Sequence, residues 1–262
     1  MSIYVVTHKA ASFPTSLPAC YKCLAVGPQK DQFTGVFFRD DDGENIADLN
    51  SSFCELTGMY WIWKNRSDEI KGLCHYRRFF SHSFILKNSL HFLLEDEIKD
   101  ILMHCDCIIP KKLYIRQNVE LAYKTAHVSA DWEILRNAVY TVTPEYYDSL
   151  IEVSRRKYFY YGNMFIATNE IFDSYCRWLF TILFEINKKI NIQGRDQYQR
   201  RALGFLSERM LGVWLEKNKI KTMEYPVIET ELPTKLLIKR YLEAKCHSRL
   251  PSAKEILDFL AF

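Results

Sequence analysis

The stretch GLCHYRRFF, residues 72 to 80, sets an apolar run directly against a cluster of polar and cationic side chains. Ile70 to Cys74 reads as a buried strand, and His75, Tyr76, Arg77 and Arg78 stand where that strand leaves the sheet. In open α/β sheets, ligands bind just beyond the carboxyl ends of strands. Two adjacent guanidinium groups there suit an anion, because the planar fork of donors on Arg matches phosphate oxygens. An Arg pair on a solvated loop, with His75 and Tyr76 packing beneath, is the competing reading. Polar groups stand at three further strand exits: Thr7 and His8, Lys111 and Lys112, and Tyr161 to Asn163. Phosphate- and sugar-compatible groups at four strand ends suggest a nucleotide-sugar site.

The chain contains no GxGxxG, no phosphate-binding P-loop, no GxSxG and no HExxH, so redox, P-loop and hydrolase readings lose ground. Cys20 and Cys23 form a lone CxxC with no second ligand pair at zinc spacing, which removes a zinc site. The eight cysteines sit largely in apolar surroundings, and reduced thiols in a cytosolic protein are the simplest account. A formal charge of +3 is too small to argue for nucleic acid, and no nucleic-acid-binding signature is present. Aromatics make up 15% of the chain, with Gly scarce, which indicates a packed core rather than disorder. Met1 to Val6 lacks a basic start and a long apolar run, so no secretory signal is expected. No uncharged apolar stretch is long enough to span a membrane.

The elements that must position these groups are legible from periodicity. Strands are expected over residues 3–8, 70–74, 105–110 and 161–168, with a short one in KTMEYPVI. A helix is expected to run to about Asn65, capped by Asn50, Ser51 or Ser52, with Glu55 at capping-box spacing from Ser52. Further helices are expected over 95–104, 118–127, 131–140, 144–155, 169–189 and 197–217. Alternating strands and helices mean a mainly parallel sheet with helices on both faces. The acidic run Asp40 to Asp42 reads as a solvated loop. Tyr60, Trp61 and Trp63 read as core.

The blocks GENIADLNSSFCELTGMYWIWKN, GLCHYRRFF, CDCIIPKK, YGNMFI and GFLSERMLGVWL occur in that order. Together they resemble a bacterial family long filed as a domain of unknown function. It is found in capsule and O-antigen clusters and regarded as glycosyltransferases, some of them galactofuranosyltransferase-like. The resemblance runs from Ile3 to about Val227. It implies a GT-A-like α/β fold over residues 1–228, with a C-terminal helical tail over 229–262. It implies transfer of a sugar, with galactofuranose a candidate, from a nucleotide-diphosphate donor, UDP-linked, to a growing capsular or O-antigen polysaccharide.

Most such folds place a DxD after a mid-sheet strand to hold a divalent metal on the diphosphate. Here the corresponding strand is followed by His-Tyr-Arg-Arg. Basic side chains also place positive charge where negative charge develops, so metal-independent, inverting transfer is expected, with Arg77 and Arg78 on the leaving group and no cofactor. Asp40 to Asp42 is the one dense acidic run that would serve a metal. Thr7, His8 and Asn45, with Glu44 and Asp48 nearby, are expected at base and ribose; His75 and Asn163 complete the donor site. The base must be a carboxylate or His. Glu208 leads, followed by Asp131 and His127, with Asp196 a further candidate. An ion pair with Arg is the structural alternative for Glu208, and a helix cap or satisfied polar pair for Asp131 and His127.

The tail alternates Leu236, Leu237, Ile238, Tyr241 and Leu242 with Lys235, Lys239, Arg240 and Lys245. It would lie on an anionic membrane surface near a lipid-linked glycan acceptor, or dock on the core. The expected setting is cytoplasmic, peripheral to the inner face of the plasma membrane. A non-catalytic nucleotide- or polysaccharide-binding module is the rival reading, since it too keeps a basic strand exit.

Overall fold

A computed structural model of the protein describes residues 1–8, 17–33, 38–82 and 92–230. The chain opens with β1 (Ser2–Thr7), β2 (Tyr21–Ala25) and β3 (Phe38–Arg39). Helices α1 (Asn50–Phe53) and α2 (Leu56–Asn65) lead into β4 (Ile70–His75) and β5 (Arg78–Phe80). Next come α3 (Glu95–Leu102), β6 (Cys107–Pro110), β7 (Leu113–Tyr114), α4 (Val119–Ala126), α5 (Ala130–Val142) and α6 (Tyr147–Arg155). The chain continues through β8 (Tyr158–Phe159), β9 (Phe165–Thr168), α7 (Asn169–Asn187), α8 (Ala202–Asn218), β10 (Thr222–Tyr225) and β11 (Val227–Glu229).

The main sheet has the order β10-β6-β9-β4-β1-β2-β3. All of these strands run parallel except β9, which is antiparallel to both β4 and β6. The mainly parallel α/β sheet is therefore the expected one. β5 folds back on β4 and pairs with β11, also antiparallel. β7 and β8 form a separate ribbon.

Alternation along β1 explains the two cores. Tyr4 and Val6 face a layer built from α2 and α4 to α8, whereas Ile3 and Val5 face Phe79, Phe80, Phe92 and Ile98 of α3. β4 is buried along residues 70–74, as the apolar run required. Its one cation, Lys71, is fully buried and pairs with Asp173 of α7 at 2.5 Å. Gly72 is dictated by packing: a Cβ there would stand 2.7 Å from Ile166 of β9 and 2.8 Å from Ile3 of β1. Tyr60 and Trp61 are core, and Trp63 stacks on Phe180 at 5.8 Å.

Three local expectations are corrected. The helix expected to run to Asn65 is two helices, broken at Cys54, which adopts a positive φ of 54°. The capping box does not form: Glu55 precedes α2 without a capping bond, and its side chain goes elsewhere. The strand expected over 161–168 begins only at Phe165, because Gly162 (φ 82°) and Asn163 (φ 51°) turn the chain just before it. β9 is antiparallel, so its entry lies at the same edge as the exits of its neighbours. KTMEYPVI is split by Pro226 into β10 and β11.

β11 carries the sheet through Glu229, and Thr230 N–H then donates to the Arg77 carbonyl at 2.9 Å. The expected tail boundary at 228/229 thus falls inside β11. The basic amphipathic stretch expected over 235–245 lies outside the described residues. The seven described cysteines are free thiols.

Candidate active site at the carboxyl edge of the sheet

The turn at Gly162 and Asn163 is the organising feature of this edge. Gly162 offers its carbonyl to His75 Nε2, which donates at 2.5 Å from the end of β4. Gly162 N–H donates to Glu208 Oε1 of α8 at 2.9 Å. Asn163 is 2% exposed and uses its whole side chain. Its Nδ2 donates to Glu55 Oε1 at 2.7 Å and to the Gly204 carbonyl at 3.3 Å, and its Oδ1 accepts from Ser207 Oγ at 3.0 Å. Left-handed backbone is least costly for Gly and tolerable for Asn, which is why this pair sits here. One two-residue turn thereby fixes His75, Glu208 and Glu55, from three separate elements.

Charge surrounds these groups. Burial, then the cations Arg78 and Arg77, depress His75 to about 3, so its imidazole is neutral and donates from Nε2. Burial pushes the Glu208 carboxyl up, opposed by Arg209, which donates to its second oxygen at 2.8 Å. Arg201 donates to Cys54 Sγ at 3.4 Å and lies over the Phe205 ring. Partial burial works against its charge, but Cys54, Glu55 and Glu208 outweigh that and raise its pKa. Arg78 lies over Tyr161 and 3.6 Å from Glu229, and Arg77 lies over the Tyr76 ring.

The other expected residues are placed as follows. Thr7 is buried at the end of β1, with its carbonyl accepting from Val26 N–H at 2.8 Å. His8 is exposed beside the Tyr76 ring. Thr7, His8, Arg77 and Arg78 thus share the carboxyl edge with the turn. Asn45 spends its side chain on its own loop, donating to the carbonyls of Asp41 and Gly43 and accepting from Ala47 N–H. Asp131 is 1% exposed and is gripped by Arg195 through two bonds of 2.6 and 2.8 Å. His127 stacks on Phe205 at 4.2 Å and on Tyr198, and burial together with Arg209 depresses it to about 4. Asp131 and His127 form a neighbouring cluster behind α8 rather than part of the turn's constellation. Asp196 accepts from Gln199 N–H, capping a short turn.

The acidic run is the solvated loop expected at Asp41 and Asp42, but not at Asp40. Asp40 is fully buried and accepts from Lys30 Nζ at 2.8 Å and Thr57 Oγ1 at 2.6 Å. Asp41 is held near 2 by Arg39, then by Lys30, despite partial burial. Asp40 and Asp41 are thus committed to Lys30 and Arg39. The exit of β4 supplies a donating imidazole and two guanidinium groups, whereas hard divalent cations take oxygen ligands. Among the described residues no group of three or more His, Cys, Asp and Glu is placed to hold a metal ion. The donor set does not fit the metal site typical of such folds.

Two participants escaped the sequence: Glu55, whose spacing from Ser52 imitated a capping box, and Arg201, on a short helical turn before α8. The dipeptide Gly162-Asn163, a turn signal inside an apolar run, was the clue to the hub.

The family model described as a domain of unknown function, DUF4422, matches residues 2–219. The chain belongs to the DUF4422 family. No curated protein matches it. A solved structure described as the WbbM bifunctional glycosyltransferase in its apo form matches with a TM-score of 0.77 and 25% identity, over 88% of this chain and 45% of that one. The chain spans less than half the length of that structure. Within this DUF4422 protein the sheet and its flanking helices therefore have the fold of a glycosyltransferase.

Proposed function

We propose that the protein is a glycosyltransferase using a nucleoside-diphosphate sugar, with its active site at the edge around His75, Arg78 and the Gly162–Asn163 turn. The observation that carries this is the gathering of Arg77, Arg78 and Arg201 with Glu55 and Glu208 at the ligand-binding edge of a glycosyltransferase fold. An acceptor hydroxyl attacks the anomeric carbon as the bond to the leaving diphosphate oxygen breaks. A carboxylate takes the hydroxyl proton, and the guanidinium groups stabilise the charge that develops on the diphosphate. Single displacement inverts the anomeric centre. Thr7 and His8 meet the nucleoside; Asn45 is left out, since its loop packs against Trp61 and Asn65 of α2.

The proposal extends to chemistry without a metal, because the guanidinium groups at the exit of β4 can neutralise the leaving diphosphate as a metal would. The resemblance to capsule and O-antigen families makes a growing surface polysaccharide the acceptor and a UDP-linked hexose, galactofuranose included, the first donor to test. Such an acceptor on a lipid carrier would bring the enzyme to the inner membrane surface. No described helix is long and apolar enough to cross a membrane.

The test is a panel of nucleotide sugars assayed for hydrolysis and transfer, with and without a chelator. Turnover of one donor that survives chelation is the expected result. Binding of nucleotides without turnover of any donor would favour a non-catalytic module. Abolition by chelator, restored by manganese or magnesium, would overturn metal independence.

A further inference from the structure

We propose that Glu55, rather than Glu208, is the catalytic base that receives the acceptor hydroxyl's proton, and that Asn163 and Ser207 are the residues that position it. The assignment rests on the transferase reading above. Glu55 stands in the break between α1 and α2, where a helix-capping role would be expected. It does not cap. Instead Cys54 takes a positive φ of 54° with ψ −124°, uncommon for a residue with a Cβ, and the Glu55 carboxylate turns toward the Gly162–Asn163 turn. Strained backbone of this kind is retained where the surroundings demand it, often at functional sites.

What holds Glu55 is built for the purpose. Asn163 is buried in a left-handed conformation, with its amide shared between Glu55 and the Gly204 carbonyl. Ser207 is fully buried; its hydroxyl reaches Asn163 Oδ1 at 3.0 Å and the Gly204 carbonyl at 2.8 Å. The Glu55 carboxylate and the Gly204 carbonyl only accept, which fixes Nδ2 as the end of the Asn163 amide that points at Glu55 and leaves Oδ1 toward Ser207. The support thus runs Ser207, Asn163, Glu55, in the manner of a base and its orienting partner.

The two carboxylates of the turn differ in what is left to them. Glu208 accepts Gly162 N–H on one oxygen and Arg209 on the other. Glu55 accepts Asn163 on Oε1, and among the described residues Oε2 has no hydrogen-bond partner. Glu55 is also partly exposed, beside Arg201. A base needs one oxygen held and one oxygen open to the proton it removes. In the step itself the acceptor O–H proton passes to Glu55 Oε2, the acceptor oxygen bonds to the anomeric carbon, and the bond from that carbon to the diphosphate breaks. The electron pair leaves with the nucleoside diphosphate, beside the arginines. Glu208 holds the turn.

The test compares Glu55→Gln, Glu55→Ala, Glu208→Gln and Glu208→Ala on a donor that the wild-type chain turns over, with nucleoside-diphosphate binding and thermal unfolding measured on each. Gln at position 55 keeps the shape and can still accept from Asn163. Its kcat should fall by about a hundredfold or more while diphosphate binding holds. Added formate, an external carboxylate, should restore part of the activity of Glu55→Ala and none of that of Glu208→Ala, a readout that a merely structural carboxylate would not produce. Near-normal kcat in Glu55→Gln, or formate rescue of Glu208→Ala in place of Glu55→Ala, would overturn the assignment and leave the transferase reading standing. A wild-type chain inert on every donor would overturn both.

Discussion

The His75 imidazole and the Gly162 carbonyl meet at 2.5 Å, joining the exit of β4 to the entry of β9. The bond needs a proton on Nε2, and because burial beside Arg78 and Arg77 keeps the imidazole neutral, it selects the Nε2–H tautomer. The folded-state value of about 3 lies below the ordinary 6.5, so the folded chain binds fewer protons than the unfolded one in between. Stability from this group is fully present above 6.5 and is lost as pH falls toward 3. His127, depressed to about 4, adds to the same loss. Replacing His75 with Gln should flatten the decline in melting temperature between pH 6.5 and 4. An unchanged slope in His75→Gln would show that His75 is not the group responsible.

Gly162 serves both neighbours through its backbone, and its φ of 82° is the region that penalises a Cβ. An added Cβ would meet only ordinary contacts, 3.5 Å from Met164 Sδ and 3.7 Å from His75 Nε2. The cost of Gly162→Ala is therefore conformational, about 1–2 kcal/mol. Relief of that strain would shift the carbonyl and N–H that hold His75 and Glu208. Denaturant unfolding should show the loss in stability, and transfer should fall while diphosphate binding changes little. Equal stability with equal activity would mean the turn tolerates the change and does not order the site.

Arg201 was not legible as a site residue, yet Glu55, Glu208 and Cys54 all act on it. It is exposed at a helical turn and reaches the edge where Arg77 and Arg78 stand. Arg78 already shares its charge with Glu229 at 3.6 Å, so Arg201 is the cation less committed to a fixed counter-ion. Arg201→Ala and Arg78→Ala should each weaken nucleoside-diphosphate binding about tenfold, as expected for a lost charge-assisted contact of about 1.5–3 kcal/mol. Calorimetric titration with the diphosphate reads this directly. Wild-type affinity in both variants would place the diphosphate elsewhere.

Strands β1, β4 and β6 and helices α5, α7 and α8 were legible because their patterns are local. The alternation in IYVVTH and the apolar run before His75 follow from facing two cores and one buried interior. What escaped was set by tertiary contact. Ser52 and Glu55 carry the spacing of a capping box, but the Cys54 backbone and Asn163, more than a hundred residues away, claim the carboxylate instead. Asp40 looked solvated in an acidic run, because Lys30 and Thr57, which bury it, are not adjacent in sequence. Asn163 was legible as a candidate by position at a strand end. Its bond to Glu55 depends on the antiparallel sense of β9, which no periodicity encodes.

Asp131 separates a structural acid from a catalytic one. It is 1% exposed, and Arg195 grips both of its oxygens, which ties α5 to the loop before α8. Gln199 Nε2 ties the end of α4 to the same segment by donating to the Ala126 carbonyl. Removing one partner of a buried ion pair leaves the other charge uncompensated, at a cost of about 3–5 kcal/mol. Asp131→Ala should therefore lower the unfolding free energy by about that amount, read from denaturant unfolding. Asp131→Asn, which can still accept from Arg195, should lose less. At a temperature where each variant is folded, donor turnover should stay near wild type, because Asp131 has no oxygen free to take a proton. A fall in kcat of about a hundredfold in Asp131→Asn with stability unchanged would reverse the assignment and move the base behind α8.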